Sequence, residues 1–254
     1  MSTILAIETS SELASCALLR GDVVLHRESS GVRTHSQSIL PLVQELLAEA
    51  GIALADCDAI AYGAGPGSFT GVRTACGIAQ GLAYGAGLPV VPVVTLDAMA
   101  LACRQQHGMQ QVLTVLDARM GEVYWAQYDL ADGDAVQAVL PPVLSAPGAV
   151  APEGDVTACG NGFAAYVAEL AGLPCAATSD AAIMPHAIQI GQLAQRAFAA
   201  GQTVSAAEAQ PLYLRNKIAF TSAERAVINA TKEAATKEAA TKAAAAKVVD
   251  GAGQ

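Results

Sequence analysis

Gly63-Ala64-Gly65-Pro66-Gly67-Ser68-Phe69-Thr70-Gly71-Val72-Arg73 packs four glycines, a proline and two hydroxyls into eleven residues. An apolar run at 58–62 precedes it and reads as a short strand. Residues 70–85 follow with helical length and few breakers, and Gly87-Leu88-Pro89 is a strong stop. Such a strand–loop–helix corner leaves backbone N–H groups free at a helix N-terminus, where an anion can sit. No Lys follows in a GK[ST] triplet, so this is not a P-loop. A tight turn that merely starts a helix satisfies the same residues.

Within the helix Gly77, Gly81 and Gly85 recur at spacing four, with Ala75, Ala79 and Ala83 on an adjoining stripe. Each interior glycine costs roughly 1 kcal/mol relative to alanine. Close approach of another backbone along the bare stripe is the expected compensation, from a helix of the same domain or of another chain.

Segments elsewhere carry a resemblance. The run GAGPGSFTGVRTACGIAQGLA, the opening Ile4-Leu5-Ala6-Ile7-Glu8-Thr9-Ser10, the central Leu116-Asp117-Ala118-Arg119-Met120-Gly121-Glu122-Val123-Tyr124-Trp125 and the late Pro211-Leu212-Tyr213-Leu214-Arg215 together resemble the TsaB (YeaZ-type) family. The likeness spans about residues 1–225, with the motifs in order. It implies a non-catalytic subunit of the bacterial machinery that places threonylcarbamoyl on the adenosine beside the tRNA anticodon. The implied partners are a TsaD-like catalytic paralogue and a TsaE-like ATPase, with a homodimer when the chain is alone. No cofactor is implied.

Composition sets outer bounds. The chain has 254 residues, 53% of them apolar, enough for two modest cores or one large one. A net charge of −9 and only 14 scattered basic residues argue against a broad nucleic-acid surface, which needs clustered Lys and Arg. Cys16, Cys57, Cys76, Cys103, Cys159 and Cys175 form no CxxC pair and read as buried free thiols. No basic leader precedes the first strand, and no apolar run is long enough to span a membrane, so the expected location is cytoplasmic.

The opening reads as three antiparallel strands at 3–7, 15–19 and 22–27, then a helix at 35–50 with Pro41 in or near its first turn. A strand is expected at 90–94. A second unit begins near Gln111, with strands at 112–116 and 122–128 and helical signals at 162–170 and 185–200. Both units open with an apolar strand that delivers a carboxylate, Glu8 or Asp117, to a hairpin turn. With the resemblance, this weak repeat implies an α/β duplicated actin-like (ribonuclease H-like) fold. The expected lobes are 1–105 and 106–225. Residues 226–254, with their Thr-Lys-Glu-Ala-Ala repeats, are expected to form a frayed helix or disordered tail.

Glu8, Thr9 and Ser10 occupy the place of a phosphate-holding turn in ATPases of this superfamily. They lack its glycine, and side chains there keep backbone away from a phosphate. Thr9 and Ser10 can hydrogen-bond an anion or simply stabilise the turn. Asp117 and Glu122 can hold Mg²⁺ or move a proton, or Arg119 between them can neutralise one. His26, His35, His107 and His186 are isolated, so no metal pair is expected, and the Ser68 turn is not a G-x-S-x-G elbow. His35 caps the first helix or lines the cleft; Arg73 meets an anion or an acidic neighbour.

These readings favour a scaffold that pairs with a catalytic paralogue. The alternatives are a stand-alone ATP-dependent carbamoyl-type transferase or kinase, and a peptidase. The family resemblance places the subunit contact on the 35–50 and 70–85 helices. The residues expected there are Ile39, Leu42, Val43, Leu46, Val72, Gly77, Gly81 and Tyr84.

Overall fold

Two mixed sheets organise the chain in its computed structural model, which describes residues 2–29, 35–131 and 135–215. Strands β1 (Thr3–Glu8), β2 (Ala14–Arg20) and β3 (Val23–Ser29) form an antiparallel meander. Helix α1 (His35–Ala50) leads to β4 (Ala59–Gly65), and α2 (Phe69–Ala86) leads to β5 (Val90–Val94). Strand β4 pairs parallel with both β1 and β5, giving the order β3-β2-β1-β4-β5. Parallel pairing demands cover on both faces, and the sequence supplies it. Leu5 and Ile7 join the core under α1 and α2, while Ile4 and Ala6 join the core on the opposite face.

Helix α3 (Thr95–His107) follows β5 without a gap and carries the chain to the second sheet. There β6 (Gln111–Asp117), β7 (Val123–Asp129) and β8 (Gln137–Ser145) repeat the meander, and the short β9 (Thr157–Cys159) pairs parallel with β6. The order β8-β7-β6-β9 repeats the first four positions of the first sheet. The duplicated ribonuclease H-like topology is therefore present, with a smaller second copy. Helices α4 (Gly162–Ala165) and α5 (Val167–Leu170) stand where a single helix was expected at 162–170. They part at Tyr166, whose backbone leaves helical angles while its hydroxyl donates to Asp117 Oδ1 at 2.9 Å.

Five features depart from the sequence reading. Helix α3 and strands β8 and β9 were not anticipated. Strand β8 holds Pro141 and Pro142, which would be excluded from a central strand; as an edge strand with an irregular register it tolerates them. Pro41 lies in the second turn of α1, not the first, with its ring exposed. Helix α6 (Ala187–Ala199), expected in the second unit, packs instead on the first sheet. Its Ala187, Ile190 and Ala194 are buried against the β1, β2 and β4 side chains. The expected 226–254 tail lies outside the described residues.

Candidate functional site

The end of β1, the glycine-rich loop and the N-terminus of α2 meet at one point. Glu8 and Thr9 are completely buried and Ser10 is 2% exposed. The Thr9 hydroxyl donates to the Gly71 carbonyl at 2.6 Å, and the Ser68 N–H donates to the Ser10 carbonyl at 2.7 Å. Ser68 caps α2, its Oγ accepting from the Gly71 N–H at 3.4 Å, and the Thr95 hydroxyl secures Pro66 from behind at 2.7 Å. The loop is glycine-rich because the turn lies against it. A Cβ on Gly63 would collide with the Glu8 carboxyl, and one on Gly71 with the Thr9 carbonyl. One on Gly67 would lie 2.7 Å from both Ser10 Cβ and Ser10 O. Thr9 and the Ser10 backbone thus tie the turn to the loop, and the two pack with no room for a side chain between them.

Glu8 is the unusual group here. Oε1 accepts from the Ser10 N–H, while Oε2 is buried with no hydrogen bond among the described residues. Burial pushes the Glu8 carboxyl up to about 7; Ser10 and the backbone N–H groups of Ser10 and Thr9 pull the other way. A group of that kind holds its proton across mildly acidic pH.

Helix α2 has two different faces. Val72, Ala75, Cys76, Ala79 and Ala83 are buried on the sheet, whereas Arg73, Gly77, Gly81, Tyr84 and Gly85 are exposed. Nothing lies within 4 Å of a Cβ built on Gly77, Gly81 or Gly85, and Tyr84 is 86% exposed. The bare stripe therefore meets no part of the described chain. Of the eight residues expected at a subunit contact, Gly77, Gly81 and Tyr84 stand on this open face. Ile39, Val43, Leu46 and Val72 do not: all four are buried in the core between these helices and the sheet, and Leu42 is half-buried against it. The apolar surplus of α1 is consumed by its own sheet. The outer face of α1 presents Gln37, Leu40, Pro41, Gln44 and Ala48 instead.

One element beside this face was not anticipated. Residues 209–213 cross the end of β4 and run along α2 as a strap. The Tyr62 hydroxyl donates to the Gln210 carbonyl at 2.8 Å, the Gln80 amide to the Ala209 carbonyl at 3.0 Å, and the Leu212 N–H to the Ala64 carbonyl at 2.7 Å. The available signal was Tyr62 itself, a tyrosine in a small-residue buried strand whose hydroxyl needs a partner. At the strap's end Arg73 makes no ion pair among the described residues. Its guanidinium stacks on Phe69, 3.6 Å from the ring centroid, and its Nε donates to the Tyr213 hydroxyl at 2.7 Å.

The second carboxylate turn is engaged by the chain's own groups. Asp117 accepts from the Arg119 N–H at 2.8 Å and pairs with the Arg119 guanidinium at 3.3 Å. Arg119 also reaches Glu12 on the β1–β2 turn at 3.1 Å, and His35 reaches the Glu12 carbonyl at 3.2 Å. Among the described residues no three His, Cys, Asp or Glu side chains are grouped to hold a metal ion, and no helix is long and apolar enough to cross a membrane. All six cysteines are free and buried.

A 3-2-1-4-5 sheet followed by its truncated repeat defines an actin-like α/β protein, here with the Glu8–Ser10 turn packed directly on the glycine-rich loop. A family model described as "TsaD: tRNA N6-adenosine threonylcarbamoyltransferase" matches residues 22–252. The "tRNA threonylcarbamoyladenosine biosynthesis protein TsaB" of Escherichia coli K12 is 41% identical over 224 residues, covering 85% of this chain and 96% of that protein. Its Haemophilus influenzae counterpart is 39% identical over 230 residues, covering 85% and 94%. A solved structure, "YeaZ from Pseudomonas aeruginosa", superposes with a TM-score of 0.78 at 40% identity, covering 84% of this chain and all of that one. The chain belongs to the TsaB (YeaZ-type) family, whose members carry the name of tRNA threonylcarbamoyladenosine biosynthesis proteins.

Proposed function

We propose that this chain is a non-catalytic subunit of the tRNA threonylcarbamoyladenosine machinery, acting at the adenosine in position 37. It dimerises with, and activates, a TsaD-like catalytic paralogue, and a TsaE-like ATPase completes the assembly. The observation that supports this reading is the packed turn: Glu8, Thr9 and Ser10 are buried and lie against Gly63, Gly67 and Gly71 with no room for a Cβ between them. The bare α2 stripe supports a docking role, with Gly77, Gly81 and Tyr84 as its contact residues and a second copy as the occupant when the paralogue is absent. Residues 1–105 and 106–225 act as two lobes, and the setting is the cytoplasm. The acidic net charge of −9 supports a role without a strong direct grip on tRNA.

The test is co-expression with the TsaD-like and TsaE-like proteins of the same genome, followed by sizing and a threonylcarbamoyl-transfer assay with each component omitted. Transfer should require this chain, yet the chain alone should neither transfer threonylcarbamoyl nor hydrolyse ATP. Robust turnover by the isolated chain, abolished by Glu8→Ala or Asp117→Ala, overturns the scaffold role.

A further inference from the structure

Cys103 and Cys159 meet inside the core of the second sheet. Cys103 lies one turn before the end of α3 and Cys159 ends β9; both are completely buried, in a cluster with Met99, Leu116 and Ile183. The Cys159 thiol faces the Met99 carbonyl, one helical turn before Cys103, at 3.9 Å, and the two thiols hydrogen-bond to each other. That bond makes the pair unequal. The hydrogen bond from Cys159 holds the Cys103 thiol below its ordinary value, against burial and the nearby Asp180 carboxylate. The same bond, with burial added, drives Cys159 well above its own. The other four thiols are all raised, chiefly by burial. Cys103 is the thiol most ready to become a thiolate, and a second sulfur stands beside it.

A polar clasp lies over the pair. His107 stands four residues beyond Cys103 on the same face of α3, and Asp180 lies opposite Cys159 in a parallel bridge. His107 Nε2 and the Gln106 amide meet Asp180 Oδ2 at 3.1 and 3.0 Å, and the His107 and Asp180 side chains are part-exposed. Opening the clasp breaks these contacts and the last turn of α3 before Gly108, a helix end that opens at lower cost than the core beneath it.

We infer that Cys103 and Cys159 form a reversible redox pair, which a hydroperoxide oxidises to a disulfide that fastens the end of α3 to the second sheet. With hydrogen peroxide, the Cys103 thiolate attacks one peroxide oxygen and the O–O bond breaks. The hydroxide released takes up the proton that Cys103 gave up and leaves as water, and Cys103 is left as a sulfenic acid. The Cys159 sulfur then attacks the Cys103 sulfur. The S–S bond forms, the S–O bond breaks, and the hydroxyl leaves as water with the Cys159 proton. Two thiols lose two electrons, and one peroxide becomes two waters. Helix α3 runs from β5 to β6 and packs on strands of both sheets, so the bond restrains the link between them. A dithiol reductant reverses it.

The experiment treats the reduced full chain with a small molar excess of hydrogen peroxide. Free thiols are then counted in denaturant, the product is mapped by mass spectrometry, and the thermal midpoint is read by circular dichroism. Two of the six thiols should disappear, and the peptides bearing Cys103 and Cys159 should be joined. The midpoint should rise by at least about 5 °C, and dithiothreitol should reverse all three changes. Cys159→Ser should stop the reaction at the Cys103 sulfenic acid, which dimedone traps, and Cys103→Ser should leave Cys159 a thiol. His107→Ala loosens the clasp without touching either sulfur and should speed thiol loss at least about threefold. The mapping uses the unsubstituted chain, so it does not depend on either serine variant folding. Six thiols remaining after treatment, a disulfide between any other two cysteines, or a Cys103–Cys159 bond that forms only in denaturant overturns the redox pair. An oxidised chain whose midpoint does not rise overturns the fastening, and an unchanged rate in His107→Ala overturns the clasp as the way in.

Discussion

Gly63, Gly67 and Gly71 differ from Gly77, Gly81 and Gly85 in every respect except residue type and spacing. The first three are glycine because the Glu8–Ser10 turn leaves no room for a Cβ, and the last three have only open space beside them. The inner set is explained entirely by the chain's own fold. The outer set weakens an exposed helix for no benefit inside the described chain, which is what the docking role proposed above requires. A glycine-rich stretch thus holds two kinds of constraint, and the surroundings of each Cα tell them apart.

The sharpest way to break this comparison is to add one methyl group to each set. Gly71→Ala drives a Cβ into the Thr9 carbonyl, in a turn that the Thr9 hydroxyl ties to the Gly71 carbonyl. It should cost about 3 kcal/mol or more, read as a fall in the urea midpoint. A midpoint within error of the parent would show that the turn and the loop can separate, and the packed-turn description would fail.

The buried acid of the inner region offers a second test. The Glu8 carboxyl titrates near 7 when folded and from a reference of 4.5 otherwise. Between those values the native state binds the proton that the unfolded chain has released. The contribution to stability is full below about pH 4.5 and is lost as pH rises toward 7, on the order of 3 kcal/mol. The stability difference between parent and Glu8→Gln should therefore vary across pH 5–7.5, with the parent losing ground as pH rises. A difference that is flat with pH would place a charged Glu8 in the core and refute the assignment.

Gly81→Ala is the outer counterpart of the first test. With nothing within 4 Å of the new methyl, it should stabilise the isolated chain by up to about 1 kcal/mol. A destabilised monomer would mean that the stripe is packed after all.

The smallest expected effect lies far from both sets, at the start of α6. His186 Nδ1 accepts from the Ile188 N–H at 3.2 Å, which requires that nitrogen to be unprotonated, and Nε2 faces Glu28 at 3.3 Å. Burial is the main cause holding its pKa below 6.5, with nearby His26 adding to the depression against the pull of Glu28. The cap's contribution is present above pH 6.5 and is lost as pH falls through the lower native value. His186→Asn keeps an acceptor and should remove that acid-side slope, at a cost of less than about 1 kcal/mol at neutral pH. An unchanged acid slope in the thermal midpoint would show that the imidazole is not the cap.

Where periodic apolar pattern coincided with a breaker, the elements were legible from residues alone. Helix α1 runs over the expected 35–50, β5 over 90–94, and α2 within one residue of its expected ends. Helix α3 was not legible because Thr95 starts it directly after Val94, with no turn signal between. Strand β9, three residues long, is held by Val112, Leu113 and Thr114 across the sheet and has no pattern of its own. The candidate site divides similarly. The missing glycine at Glu8-Thr9-Ser10 signalled a turn unlike that of an active ATPase. The strap at 209–213 showed only as the motif Pro211-Leu212-Tyr213 and as the buried Tyr62 hydroxyl, and neither names the other, because its hydrogen bonds join backbone carbonyls to Tyr62 and Gln80, more than a hundred residues away.

Local chemistry by itself determined β1, β2, β4, β5, β6 and β7 and helices α1 and α2, since alternation, caps and breakers are properties of neighbouring residues, while the duplicated order was read with the help of the family's motifs. Only the tertiary structure decided which glycines face inward, that Ile39, Val43, Leu46 and Val72 belong to the core, and that α6 crosses back to the first sheet. It also paired Arg73 with Phe69 and Tyr213. The physical reason is the same in each case. A residue's type limits the surfaces it can satisfy, but which surface arrives is set by contacts between segments far apart in the chain, and short-range pattern carries no record of them.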